Sequence, residues 1–248
     1  MKNLTCKNCE EHFHGNFCPN CGQNAHEHRI NAVYFIHDIP HSVFHVDNLF
    51  FSTFRGLFTK PGLVIREFLE GKRARYFRPF GYVVVLTALS TLLVKIFTFL
   101  KVALLQQYDP AFQLPEESPF FAHYFSLFIF LMIPFASLVT WAFFLKRKYN
   151  FWEHFLANTY IGAQLNFVWI LIHLLNLIVI LFVKHDFEFN FTIFFTFFMT
   201  LFLYLYGSVF GFLMQQGRSR LKLAIWITLM NLVLFFVFSA GFNLAGLM

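Results

Sequence analysis

Polar and apolar positions are distributed unevenly along this chain. From residue 80 onward five long apolar runs follow one another, at 80–100, 120–145, 160–183, 189–214 and 221–247. Each has the roughly 20 residues needed to cross a bilayer core as a helix. The second, third and fourth runs contain no Asp, Glu, Lys or Arg, and the first contains only Lys95. None of the connections is long enough to hold another domain. Before residue 59 the chain is polar and histidine-rich, and between the two regimes lies the stretch TKPGLVIREFLEGKRARYFRP, residues 59–79. That stretch predicts a short amphipathic helix, capped by Thr59, with Pro61 in its first turn and Gly71 at its end. Val64, Ile65, Phe68 and Leu69 form one apolar stripe at helical spacing. Lys72, Arg73, Arg75 and Arg78 follow, interleaved with Tyr76 and Phe77. A basic, aromatic collar of this kind suits a bilayer with anionic headgroups, where each cation near the surface is worth about 1 kcal/mol.

Composition agrees with the pattern. Hydrophobic residues make up 58% of the 248 and charged residues 13%, with a mean hydropathy of +0.58. A soluble domain carries charge on roughly a quarter of its residues. The expected fold class is therefore an all-α integral membrane protein: a five-transmembrane-helix bundle with a small N-terminal cytoplasmic zinc ribbon and interfacial amphipathic helices. The forty phenylalanines need no special role, because Phe replaces Leu freely in lipid. The net charge of +6 is explained by topology. Sixteen of the 19 Lys and Arg lie in residues 1–79, in the loop Lys146, Arg147 and Lys148, or at Arg218, Arg220 and Lys222; Lys95, Lys101 and Lys184 fall on the other side. The excess of cations marks the cytoplasmic face. The N-terminus is then cytoplasmic, the C-terminus outside, and the membrane a bacterial inner membrane. No apolar signal region follows Met1, so the first 59 residues are expected to stay on the side of synthesis.

All four cysteines lie in that leading segment, as Cys6-Lys-Asn-Cys9 and Cys18-Pro-Asn-Cys21. In a reducing compartment, two CxxC knuckles this close predict four thiolates around one structural Zn²⁺ rather than disulfides. His12 and His14 sit between the knuckles and read as solvated loop residues. So short a ribbon has no core of its own, so the metal must supply its folding energy. Lys2, Lys7 and Arg29 are balanced by Glu10, Glu11 and Glu27, which leaves no phosphate-tracking patch and excludes nucleic acid as the expected partner.

Four further groups carry candidate chemistry. His37, His41 and His45 recur every four residues, with Asp38 and Asp47 nearby, but Pro40 interrupts the helix that would align them as a second metal site. From residue 49 to 58 apolar residues crowd densely enough to lie in the headgroup boundary. In the third span Asn166, His173 and Asn176 fall on one face, with Gln164 close by; the choice is between interhelical hydrogen bonding and a solute path. Glu153 and His154 precede that span beside the anchoring aromatics Tyr149 and Trp152, as an interfacial pair. Gly207 and Gly211 form a GxxxG that permits close helix approach, within the chain first and in a homo-oligomer second. No phosphate loop, HExxH or nucleophile elbow is present.

Taken together, CKNC with CPNCGQ, TFRGLFTKPGLVIREFLEGKRARYFRP and FWEHF resemble the bacterial domain-of-unknown-function family 3667, most specifically over residues 61–79. The resemblance implies no reaction. The five-span plan with a cytosolic N-terminus is also similar to the Yip1 family of membrane organisers. The expected organisation is a zinc ribbon at 1–29, an interfacial segment with its basic collar at 30–79 and a transmembrane domain at 80–248. The leading expectation is a non-enzymatic membrane adaptor whose ribbon contacts a cytoplasmic or membrane protein. The alternatives are a small-solute or ion transporter using Asn166, His173 and Asn176, and a lipid-acting enzyme using Glu153, His154 and the collar.

Overall fold

A computed structural model describes residues 4–26, 28–34, 48–113, 120–144, 149–184 and 204–213, together with 225–226, 228–233 and 236. The histidines at 37, 41 and 45, the loop 145–148, and most of the fourth and fifth apolar runs lie outside the described residues. The described part is mostly helical. A two-stranded hairpin, β1 (Leu4–Thr5) and β2 (His12–Phe13), opens the chain. It is followed by α1 (Asn48–Thr59), α2 (Pro61–Glu70), α3 (Pro79–Tyr108), α4 (Phe120–Phe143) and α5 (Phe151–Val183). A shorter apolar helix, α6, spans Tyr204–Leu213.

Among the described residues three helices are long and apolar enough to cross a membrane: α3, α4 over Phe125–Phe143, and α5. With 33 residues α5 is about 50 Å long, well beyond a hydrocarbon core of about 30 Å. Both α3 and α4 pack against α5, and α1 and α2 lean on it as well.

Across a shared apolar core, a set of polar side chains on α5 each reaches a different neighbour. Asn158 donates to Thr140 Oγ1 of α4 at 3.0 Å and accepts from Tyr206 of α6 at 2.8 Å. Tyr160 donates to the carbonyl of Phe77 at 2.6 Å, Gln164 to that of Phe54 in α1 at 3.2 Å, and Asn166 to Thr87 of α3 at 3.1 Å. In lipid, apolar contact adds little preference for one helix over the surrounding tails, so such bonds and close packing decide which helices associate. Gly62 supplies close packing at the other side of α2. A Cβ there would come within 2.5 Å of Phe212 and 2.7 Å of the Ser208 carbonyl in α6.

The helix predicted over the collar stretch exists, with one correction. Pro61 occupies its first turn and Gly71 ends it in the left-handed conformation at φ 106°, as expected. Thr59 does not cap it. Lys60 takes the cap position, and the Thr59 hydroxyl turns back to the carbonyl of Arg55 at 3.0 Å, closing α1 instead. The apolar stripe is covered by protein: Val64, Ile65 and Phe68 are buried, and the Phe68 ring meets Tyr34 and Tyr160 edge-on at 6.4 and 5.9 Å.

Candidate functional site

The two CxxC segments fold as near-copies of each other. In the first, Cys6 N–H donates to the Glu11 carbonyl and Glu10 N–H to the Cys6 carbonyl, both at 2.9 Å. In the second, Cys18 N–H donates to the Gln23 carbonyl at 2.8 Å and Gly22 N–H to the Cys18 carbonyl at 2.9 Å. Each turn needs a left-handed residue four positions after its first cysteine, filled by Gly22 at φ 71° and, less comfortably, by Glu10 at φ 64°. The amides of Glu11 and Gln23 then donate to the sulfurs of Cys9 and Cys21.

The result is a four-sulfur cluster. Cys6 and Cys21 Sγ are 3.5 Å apart, as are Cys9 and Cys18, and all four sulfurs lie within 4.8 Å of one another. Those separations are too long for disulfides and close to the edge of about 3.8 Å that a Zn–S bond of about 2.3 Å sets in a tetrahedron. The donor set fits a divalent metal with an affinity for thiolates. His12 stays outside it: the residue is exposed and its Nδ1 lies 3.0 Å from the Thr5 hydroxyl.

The ribbon does not hang free. Gln23, two residues past the last cysteine, sends its side-chain amide into the turn after α2. Its Nε2 donates to the Gly71 carbonyl at 2.7 Å, and its Oε1 accepts from the backbone N–H of Arg73 and Ala74 at 3.0 and 3.1 Å. Arg73 answers from the collar. Its guanidinium donates to the His28 carbonyl at 2.6 Å and lies over the Tyr34 and Phe68 rings. Further along, Arg29 meets Glu153 in a fork, Nε to Oε1 at 2.9 Å and an Nη to Oε2 at 2.8 Å. Asn150 donates to the Ile30 carbonyl at 3.0 Å. The hydrogen bond to Glu153 outweighs partial burial and raises the Arg29 pKa.

The predicted collar therefore splits in two. Arg73 is turned inward as a fastener. Lys72 and Arg75 each approach Glu67 at 3.5 Å, and Tyr76 donates a short hydrogen bond to the same carboxylate. Burial pushes the Glu67 pKa up, but Tyr76 and the two cations more than offset it, so the carboxyl titrates below its ordinary value of 4.5. Burial, with the bond to Glu67, pushes Tyr76 up to about 12. Arg75 and Arg78 remain exposed.

Glu153 and His154 are adjacent in sequence but turn to different surroundings. Glu153 closes a capping box on α5: it accepts the Asn150 N–H at 2.6 Å while Asn150 Oδ1 accepts the Glu153 N–H at 2.9 Å. His154 is buried between Phe144 and Phe210, with ring centroids 6.3 and 5.5 Å away. Of the third-span set, Asn166 is buried and bound to Thr87 and to the Gly162 carbonyl. His173 Nδ1 lies 3.1 Å from the Trp169 carbonyl on its own helix, and Asn176 is partly buried. Sequence reasoning missed Gln23, Arg29 and Asn158 as structural linchpins. For Glu153 a signal was present, since Asn150 three residues before it spells a helix start.

A helix bundle of membrane-crossing length carrying a four-cysteine cluster at its polar end defines the class: a polytopic membrane protein whose head has the donor set for a metal ion. Residues 47–91 match the family model described as Protein of unknown function (DUF3667), supporting the resemblance drawn from the motifs. The matched stretch runs from the start of α1 through α2 and the collar into α3. No curated protein and no solved structure matches the chain.

Proposed function

We propose that this chain is a non-enzymatic adaptor of a bacterial inner membrane. In this reading residues 1–29 are a Zn²⁺ ribbon in the cytoplasm, residues 30–79 an interfacial neck, and residues 80–248 a five-span anchor with its C-terminus outside. Four thiolates close the coordination sphere of Zn²⁺ and leave no position for a reacting water, so the metal organises a surface. The observation that carries the reading is the seating of the ribbon. It is pinned to the neck by Gln23 and to α5 by Arg29, while Phe17 stays 63% exposed. A rigid head with one presented aromatic suits a cytoplasmic or membrane protein partner. Arg75 and Arg78 are the collar residues best placed for anionic headgroups. The engagement of Asn166 with Thr87, and of Glu153 with Asn150 and Arg29, ranks transport and lipid chemistry below this reading.

A photo-crosslinker placed at position 17, with position 182 as a lipid-facing control, tests the proposal in intact cells. A discrete protein adduct is expected at 17, absent at 182 and lost when Cys18→Ser dismantles the ribbon. Adducts at 17 that contain lipid alone, or none at all, would contradict an adaptor.

A further inference from the structure

Gln23 occupies two structures at once. Its backbone belongs to the second knuckle, where its carbonyl accepts from Cys18 and its N–H donates to the Cys21 sulfur. Its side chain satisfies three backbone groups of the neck, at Gly71, Arg73 and Ala74. All three belong to the turn that ends α2 and begins the collar. The side chain is buried, and Lys7 of the first knuckle lies against Gly71, so closely that a Cβ there would be 2.8 Å from its Cδ. The knuckle turn that positions Gln23 has almost no apolar core: Cys6, Phe13 and Cys18 are the buried hydrophobic residues of the ribbon's own cluster. So small a cluster does not hold a fold without its metal.

From this juxtaposition we propose that the ribbon is a metal-dependent latch on the neck. With a thiolate-bound divalent metal in place, Gln23 is held at the height and angle that clamp the turn at 71–74, and the collar is closed. When the metal leaves, the knuckles lose their geometry, the three neck groups lose their partner, and His28 and Arg29 no longer hold Arg73 and Glu153 in place. The collar cations then become available to other anions. The cytoplasmic metal or thiol status is thereby transmitted to the base of α5. This inference rests on the metal centre proposed above and adds a regulatory coupling to it.

The collar carries its own reporter, because trypsin cleaves after Lys72, Arg73 and Arg75, whereas Arg78 precedes Pro79 and resists. The full chain in lipid nanodiscs, where both faces are accessible, is digested briefly, the cuts are mapped by mass spectrometry, and metal content is measured in parallel. Cleavage of a locally opened segment follows the population of the open form. Chelation of wild-type protein is expected to speed cleavage after Lys72, Arg73 and Arg75 by about tenfold while cleavage after Lys101 in α3 stays unchanged. Gln23→Ala is expected to speed it similarly with its zinc retained, because the residue's contacts to the knuckle are made by its backbone. Gln23→Glu, which keeps the acceptor for two amides but loses the donor to Gly71, should fall between. Zinc present, then removed, with the collar equally resistant would overturn the latch and leave the metal centre standing. A Gln23→Ala protein that cuts like wild type, or that loses its zinc, would also overturn it. Protein isolated without any metal overturns the centre and the latch together.

Discussion

The two halves of α5 are equally helical and obey opposite rules. From Leu156 to Asn166 every residue is buried, and this half holds Asn158, Thr159, Gln164 and Asn166. Beyond Val168 the sequence is apolar apart from His173 and Asn176, and Leu175, Ile178, Leu181 and Phe182 are exposed, the last by 81%. In a soluble protein the polar half would face out. Here the buried polar residues mark where protein surrounds the helix, and the exposed apolar ones mark the surface left to lipid. The difference follows from the solvent: hydrocarbon rewards no apolar contact over another, whereas an amide without a partner is costly there. The lower half of α5 is thus the hub to which α1, α3, α4, α6, the neck and the ribbon attach, and the upper half serves as an anchor.

That contrast can be broken most severely at Glu153. Glu153→Ala removes the side-chain half of the α5 capping box and the partner of Arg29 together, and unfolding in mixed micelles should register a loss of about 2–3 kcal/mol. A loss under about 0.5 kcal/mol would mean that the hub does not depend on how α5 begins. Next comes Asn158→Ala, which strips bonds to Thr140 and Tyr206. It is expected to cost about 1–2 kcal/mol, while Phe182→Ala in the anchoring half stays within about 0.5 kcal/mol. Equal effects from the two would erase the distinction between the halves. The smallest effect is a pH dependence at the neck. The carboxyl of Glu67 titrates lower when folded than its ordinary 4.5. Its contribution is therefore complete above that value and fades as pH falls through the folded one. Stability of the wild type should decline below about pH 4.5, and Glu67→Gln should be less stable at neutral pH with a flatter acid limb.

Much of this was legible in the chain because it is local. Two CxxC turns carry their own spacing, Pro61 and Gly71 bracket α2 wherever it lies, and the hydrophobic length of α3, α4 and α5 needs no partner to be recognised. What escaped depends on who stands opposite. Thr59 has the chemistry of an N-cap, yet it closes the preceding helix, because one residue decides to which of two abutting helices it belongs. Gln23 looks like any polar residue after a knuckle until Gly71 and Arg73 are brought to it from some 50 positions away. The collar reads as a lipid surface from its charges alone. Only tertiary contact shows that Arg73 is spent inward and that Glu67 draws Lys72 and Arg75 together.

The proposed adaptor and latch both depend on the four thiolates holding a metal. Native mass spectrometry of the full chain released from detergent measures this directly. One zinc per chain is predicted, absent from Cys18→Ser; a wild-type chain of unmetallated mass, or one lighter by the hydrogens lost to two disulfides, would contradict the account.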